Sequence, residues 1–148
     1  DEARRIVDPA PVQSNPTLYI TSSSIKIPVQ SMELWAVVNL SPLKYPHGSD
    51  RTIQTTLNLA NIGNAQIITV PGEALPNIGM YMKRKMKGRT NMLFGLTNDA
   101  FGYILTKVDF NSFERYNYVS RTSLGEMTGE ILMEKWQDMI GKAPLPDM

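Results

Sequence analysis

The stretch that decides the fold runs from residue 62 to residue 104 and reads IGNAQIITVPGEALPNIGMYMKRKMKGRTNMLFGLTNDAFGYI. Residues 66–70 form an apolar run that is typical of a buried strand. Pro71 and Gly72 end this run, because both residues disfavour continuation of a strand. The next residue is Glu73. The sequence therefore predicts a single carboxylate at the end of a strand and at the start of a helix.

A helix and a second strand are predicted after Glu73. Residues 74–87 carry apolar side chains at steps of three and four, which places them on one face of a helix. A turn at Gly88 leads to a second apolar run, residues 92–96, and then to a polar loop that reaches Tyr103. If the two strands lie side by side with the helix on one face, Glu73 and Tyr103 meet at the same edge of a sheet.

The rest of the chain predicts an α+β fold with a mixed, largely antiparallel sheet flanked by helices. Alternating apolar residues at 52–59 predict a strand that forms an antiparallel hairpin with residues 66–70. The other expected elements are an extended N-terminal arm at 1–16, strands at 18–21, 25–29 and 34–38, a helix at 126–140 that begins in a capping box from Ser123 to Glu126 and ends at Gly141, and a tail at 142–148. We expect one domain over residues 17–141.

Composition excludes several classes of function. The chain has 148 residues and a formal net charge of +1, so its overall charge indicates neither nucleic acid nor an acidic partner. It contains no cysteine, which excludes thiolate ligands and thiolate nucleophiles. No apolar run reaches the ~18 residues needed to cross a bilayer. The first residues lack both an initiating Met and the apolar core of a signal peptide, so we expect a processed product or a piece of a longer protein.

Each candidate functional residue has an ordinary structural explanation beside the functional one. Glu73 could bind a metal or act as a general base, or it could simply complement a helix dipole. Tyr103 could bind a metal or donate to an oxyanion, or its ring could only pack. Asp99 could act similarly or close an Asx-turn. His47, the only histidine, is expected to face solvent, and the basic run at 83–89 favours a solvated helix face over a phosphate site.

Three segments in order resemble a known family. They are VPGE at 70–73, GLTNDAFGYI at 95–104 and ERYNYVS at 114–120. Their order and spacing are similar to the C-terminal part of the catalytic domain of neutral, non-lysosomal ceramidases. The similarity extends over roughly residues 53–136. In that family a zinc ion, bound by two His, one Glu and one Tyr, activates water for hydrolysis of an N-acyl amide.

The resemblance implies a role for three residues. Glu73 and Tyr103 would be zinc ligands, and Tyr116 would polarise the scissile carbonyl as a catalytic residue, with Tyr118 as the alternative. The family's two zinc histidines have no counterpart here, and His47 matches neither. The residues after Glu73 also differ from the threonine-rich helix start of the family, which bears on ceramide as the substrate.

These implications define the expected function and partners. The chain would be a C-terminal fragment or subunit of a ceramidase-like zinc amidohydrolase, inactive until an N-terminal half or a partner subunit supplies the histidines. The substrate would be a lipid-like N-acyl amide, such as ceramide, and nucleic acid is not expected as a partner. A homo-oligomer remains open. The resemblance suggests an extracellular or membrane-associated protein. The alternative is a non-catalytic binding or assembly module on the same scaffold, and a third reading is a membrane-surface module that uses residues 83–89.

Overall fold

A computed structural model describes residues 1–147 of the chain. It contains five α-helices, six strands and one 3₁₀ turn. In chain order they are α1 (Glu2–Val7), β1 (Leu18–Pro28), α2 (Met32–Leu40), β2 (Thr52–Ile62), β3 (Ala65–Thr69), β4 (Glu73–Ala74), α3 (Pro76–Lys85), β5 (Thr90–Phe94), β6 (Tyr103–Ile104), the 3₁₀ turn (Glu114–Tyr116), α4 (Asn117–Arg121) and α5 (Thr128–Lys142). None of these helices is both long and apolar enough to cross a lipid bilayer.

The main sheet has four strands in the order β1-β2-β3-β5. β1 and β3 are both antiparallel to β2, whereas β5 is parallel to β3. The predicted α+β class with a mixed, mostly antiparallel sheet flanked by helices is therefore confirmed. The predicted hairpin is β2-β3, and its two-residue turn needs the positive φ of 55° at Gly63.

The core lies between one face of the sheet and the helices α3 and α5. Alternate residues of β2 are buried, as expected for a strand with one covered face. α3 contributes Ile78 and Met82, and α5 contributes Leu132 and Trp136. The Trp136 side chain is 0% exposed, and its indole Nε1 donates a hydrogen bond to the carbonyl oxygen of Thr69 at 3.0 Å. This bond ties α5 to the end of β3, close to the predicted site.

The strand predicted at residues 34–38 is wrong, because this segment lies within the helix α2. The Ser31 hydroxyl accepts a hydrogen bond from the backbone N–H of Leu34 at 3.2 Å, which is the bond of an N-cap residue. A short apolar run does not distinguish a strand from a helix by periodicity. The cap at Ser31 was the signal that decides between them.

Several other boundaries differ from the prediction. The helix expected at 74–87 is α3 (Pro76–Lys85), so Glu73 lies in β4 and not at the helix start, and the strand expected at 92–96 is β5 (Thr90–Phe94). Residues 2–7 form the helix α1, in which Ala3 N–H donates to the Asp1 side chain, so the arm at 1–16 is not extended throughout. The strands predicted at 18–21 and 25–29 are one continuous strand, because the serines between them stay in register with β2. The last helix runs from Thr128 to Lys142, without a capping box, and passes through Gly141. Gly141 is the last residue but one of this helix, which ends at Lys142.

Candidate functional site

Glu73 and Tyr103 face each other in a two-stranded parallel pair. β4 and β6 pair in a register that places Glu73 opposite Tyr103 and Ala74 opposite Ile104. Glu73 N–H donates to the Gly102 carbonyl at 2.9 Å, and Leu75 N–H donates to the Ile104 carbonyl at 3.0 Å. Residues opposite each other in neighbouring strands project their side chains to the same face. We call this pair of strands the rim.

Two glycines allow the rim strands to approach each other and the segment behind them. A Cβ atom at Gly72 would lie 2.5 Å from the Gly102 carbonyl oxygen. Gly102 itself has a φ of 78°, and a Cβ atom there would lie 2.0 Å from the Thr122 carbonyl oxygen. That same oxygen accepts a hydrogen bond from Tyr103 N–H at 3.1 Å. Only glycine fits this close approach, so the residues before Glu73 and Tyr103 are as much a part of the site as the two side chains.

The loops that enter the rim are held by backbone hydrogen bonds. The Val70 carbonyl accepts from Thr97 N–H at 3.0 Å, and the Gly72 carbonyl accepts from Leu96 N–H at 3.1 Å. The Pro71 carbonyl accepts from Phe101 N–H at 2.9 Å. The strand end before Glu73 and the loop before Tyr103 are therefore bonded to each other along most of their length. This explains why the two residues arrive at the same place.

A cavity of about 560 Å³ adjoins Glu73. Its walls come from β4, the first turns of α3 and the end of β5. Most of the lining side chains are apolar, among them Val70, Leu75, Met80, Leu93 and Leu96, and the charged residues Glu73 and Lys83 also line the cavity. Such a cavity suits an apolar group attached to a polar reacting centre.

The aromatic side chains near Tyr103 separate the two candidate catalytic tyrosines. The rings of Tyr103 and Tyr118 pack edge to face with centroids 5.8 Å apart. The ring of Tyr116 packs instead against Phe113 at 5.9 Å, with the Arg115 guanidinium 5.3 Å from its centroid. Of the two candidates, it is therefore Tyr118 whose ring contacts the rim.

The other residues singled out in the sequence have structural partners. The Asp99 carboxylate accepts a hydrogen bond from the Thr55 hydroxyl. The ring of His47 is exposed and packs edge to face on Trp35 with centroids 5.4 Å apart. Within the basic run, the Lys85 ammonium lies 5.3 Å from the centre of the Tyr81 ring and makes a cation-π contact with it.

Glu73 and Tyr103 offer two oxygen donors of types that zinc binds. In residues 1–147, no three His, Cys, Asp or Glu side chains are placed to share one metal ion. A tetrahedral zinc site takes four ligands, so the two rim donors amount to half of a coordination shell. A zinc ion bound by these two oxygens would need two further ligands from elsewhere.

Some features of the site were not predicted from the sequence. The contact between Gly102 and Thr122 and the ring contact of Tyr118 with Tyr103 both join segments that are far apart in the chain. The available signal was that a glycine precedes each of the two candidate ligands, at Gly72 and Gly102. A glycine at that position beside a predicted site indicates close backbone approach.

No protein-family model matches the sequence, and no curated protein sequence matches it significantly. One similar solved structure is a ceramidase complexed with C2, with a TM-score of 0.53 and 20% sequence identity. The match covers 74% of this chain and 17% of that chain, so this chain spans about a sixth of the length of the ceramidase. The chain therefore has a ceramidase-like fold, and the likeness is to one part of that ceramidase.

Proposed function

We propose that this chain supplies one carboxylate and one phenol to the zinc site of a ceramidase-like amidohydrolase that hydrolyses an N-acyl amide. Glu73 and Tyr103 are the two ligands, and two histidines come from a further segment of a longer chain or from a second polypeptide. The observation that carries the proposal is the pairing of Glu73 with Tyr103 across the rim. The ceramidase-like fold supports it independently.

The residues of the site have distinct tasks in such a reaction. Zinc, when bound, supplies a water of lowered pKa and polarises a carbonyl. The Tyr118 phenol, beside Tyr103, donates a hydrogen bond to the carbonyl oxygen as negative charge develops there; Tyr116 is the second candidate for this task. The apolar cavity next to Glu73 holds the hydrocarbon part of the substrate and excludes water from the reacting bond.

The proposal predicts that Glu73→Gln removes zinc from the completed site. The amide keeps the shape of the side chain but is a poor zinc ligand. We expect the zinc affinity to fall by more than the ~10–100-fold that loss of an outer partner of a metal ligand costs. The measurement is zinc content after dialysis, together with hydrolysis of a fluorogenic long-chain N-acyl amide. Both are made on the chain purified together with the histidine-bearing segment.

Two controls and one outcome make this test specific. Tyr103→Phe removes the second donor and should also lower the zinc affinity. Glu134→Gln changes an exposed carboxylate on α5 and should leave the zinc content at its original value. If addition of the histidine-bearing segment raises neither zinc content nor hydrolysis, the chain is a non-catalytic module on this scaffold.

A further inference from the structure

A second cavity, of about 290 Å³, lies between the turn from β1 to α2 and the segment that contains α4. Its walls come from three parts of the chain: residues 30–31, residues 110–111, and the end of α4 with the residues that follow it. It shares no lining residue with the cavity beside Glu73. Arg121 lines it, whereas no aspartate or glutamate does. The wall of this cavity therefore carries a cation and no side chain of opposite charge.

Among the residues that the structure describes, two buried serine hydroxyls in this wall lack an acceptor. Ser123 is 1% exposed, and its Oγ atom has no hydrogen-bond partner at all. Ser120 is 3% exposed, and its Oγ atom accepts from Asn111 N–H at 2.9 Å but donates to no acceptor. A hydroxyl has one proton to donate, and leaving that proton unpaired in a buried position costs free energy. Both hydroxyls can therefore donate to a group that the cavity holds.

Gln30 and Arg121 add further donors to the same wall. The Gln30 Oε1 atom accepts from Glu126 N–H at 2.8 Å, which sets the orientation of the amide, and its NH₂ group has no acceptor within residues 1–147. The Arg121 guanidinium lies 3.6 Å from a carboxylate oxygen of Glu33, and both side chains are largely exposed. An exposed pair of this kind contributes little free energy, so a better placed anion can displace Glu33. The four side chains together match a negatively charged acceptor.

We propose that this cavity binds the carboxylate or phosphate group of a small molecule. The anionic oxygens accept hydrogen bonds from the Ser120 and Ser123 hydroxyls, and their charge pairs with the Arg121 guanidinium. The volume of about 290 Å³ is close to the lower limit of small-molecule sites and suits a compact ligand. Binding there requires neither zinc nor the rim, so the site is additional to the proposed function.

Titration of the full chain with inorganic phosphate and with propionate, followed by two-dimensional amide NMR, tests the site. We expect at least one of the two anions to shift the amide resonances of Asn111, Ser120 and Ser123, with a Kd on the order of 1 mM. The Asn111 amide is informative because its N–H is bonded to the Ser120 hydroxyl. Propionamide, the uncharged analogue of propionate, should cause no such shift. The anion that binds more tightly identifies the acidic group of the ligand.

Ser123→Ala separates binding from folding. The substitution removes an unpaired buried hydroxyl, so the free chain should unfold at the same temperature as the original chain or at a higher one. The bound anion loses one donor, so its Kd should rise by about 10-fold. A serine that only packs would show the first effect without the second. Ser22→Ala is the control, because the Ser22 hydroxyl lies in β1 and donates to the Asn58 side chain.

Arg121→Gln removes the cation and should raise the Kd by about 10–100-fold. Glu33→Gln removes the carboxylate that competes for the same guanidinium, so it should lower the Kd by about 2–5-fold. Arg84→Gln makes the same change of charge at an exposed arginine on α3, outside this cavity, and should leave the Kd unchanged.

The absence of a saturable shift with either anion overturns the proposal, since the cavity then holds only water. Propionamide that binds as tightly as propionate overturns it too, and so does a Kd that Ser123→Ala and Arg121→Gln leave unchanged. Thermal unfolding of each variant checks that the chain remains folded. None of these results depends on zinc or on hydrolysis, so the proposed function is tested separately.

Discussion

Truncation of Trp136 to alanine is expected to lower the free energy of unfolding by about 3–5 kcal/mol. The indole is fully buried between α5 and the sheet, and its removal leaves a cavity that the surrounding Leu and Ile side chains fill only in part. The substitution also leaves the Thr69 carbonyl without its indole donor. The measurement is equilibrium unfolding in urea, followed by far-UV circular dichroism.

Trp136→Phe separates the two contributions. Phenylalanine retains most of the buried volume but has no N–H to donate to Thr69. We expect this variant to lose about 1–3 kcal/mol, the usual cost of an unpaired buried polar group together with a small cavity. Equal losses for the alanine and phenylalanine variants would mean that the hydrogen bond, and not the packing, dominates at this position.

Gly102→Ala is expected to be the most damaging single change at the rim, at about 2–4 kcal/mol. The added Cβ would lie 2.0 Å from the Thr122 carbonyl oxygen, and the φ of 78° is unfavourable for any residue with a Cβ. Relief of this clash has to move Tyr103, whose N–H is bonded to the same oxygen. We therefore expect both the stability and the ring contact between Tyr103 and Tyr118 to suffer, measured by urea unfolding and by NMR of the tyrosine rings.

Gly79→Ala is the matched control for Gly102→Ala. Gly79 lies inside α3, and a Cβ atom there would have no other atom within 4 Å. Alanine is favoured over glycine in a helix interior by about 0.5–1 kcal/mol, so this variant should be more stable than the original chain. If the two alanine variants have the same stability, the geometry described at the rim is wrong.

Strong periodic patterns predicted the strands and the hairpin correctly. A short apolar run and a single glycine gave wrong predictions. The alternation in β2 specified a half-buried strand, and its partner β3 followed after a two-residue turn. The run at 34–38 has no period long enough to choose between helix and strand. At the C-terminal helix, Gly141 predicts the end of the helix, whereas the helix extends one residue beyond it, because a glycine in a helix costs only about 1 kcal/mol.

The convergence of Glu73 with Tyr103 could be predicted because it follows from strand order alone. The neighbouring parallel strands β3 and β5 end at the same edge of the sheet, so the segments that follow them lie close together. The pairing of β4 with β6 then places Glu73 directly opposite Tyr103. The position of Tyr118 could not be predicted in this way. It depends on how the 3₁₀ turn and α4 pack behind β6, which no local pattern specifies.

The rim is held together by main-chain groups, and no side chain of Glu73 or Tyr103 takes part in the hydrogen bonds that join β4 to β6. Positions 73 and 103 are thus free to exchange their side chains over evolutionary time while the backbone stays where it is. In the zinc site proposed above, loss of a rim ligand would then need only one codon change and would leave the hydrogen bonds between β4 and β6 in place. A designer could use the same freedom to install another pair of ligands there.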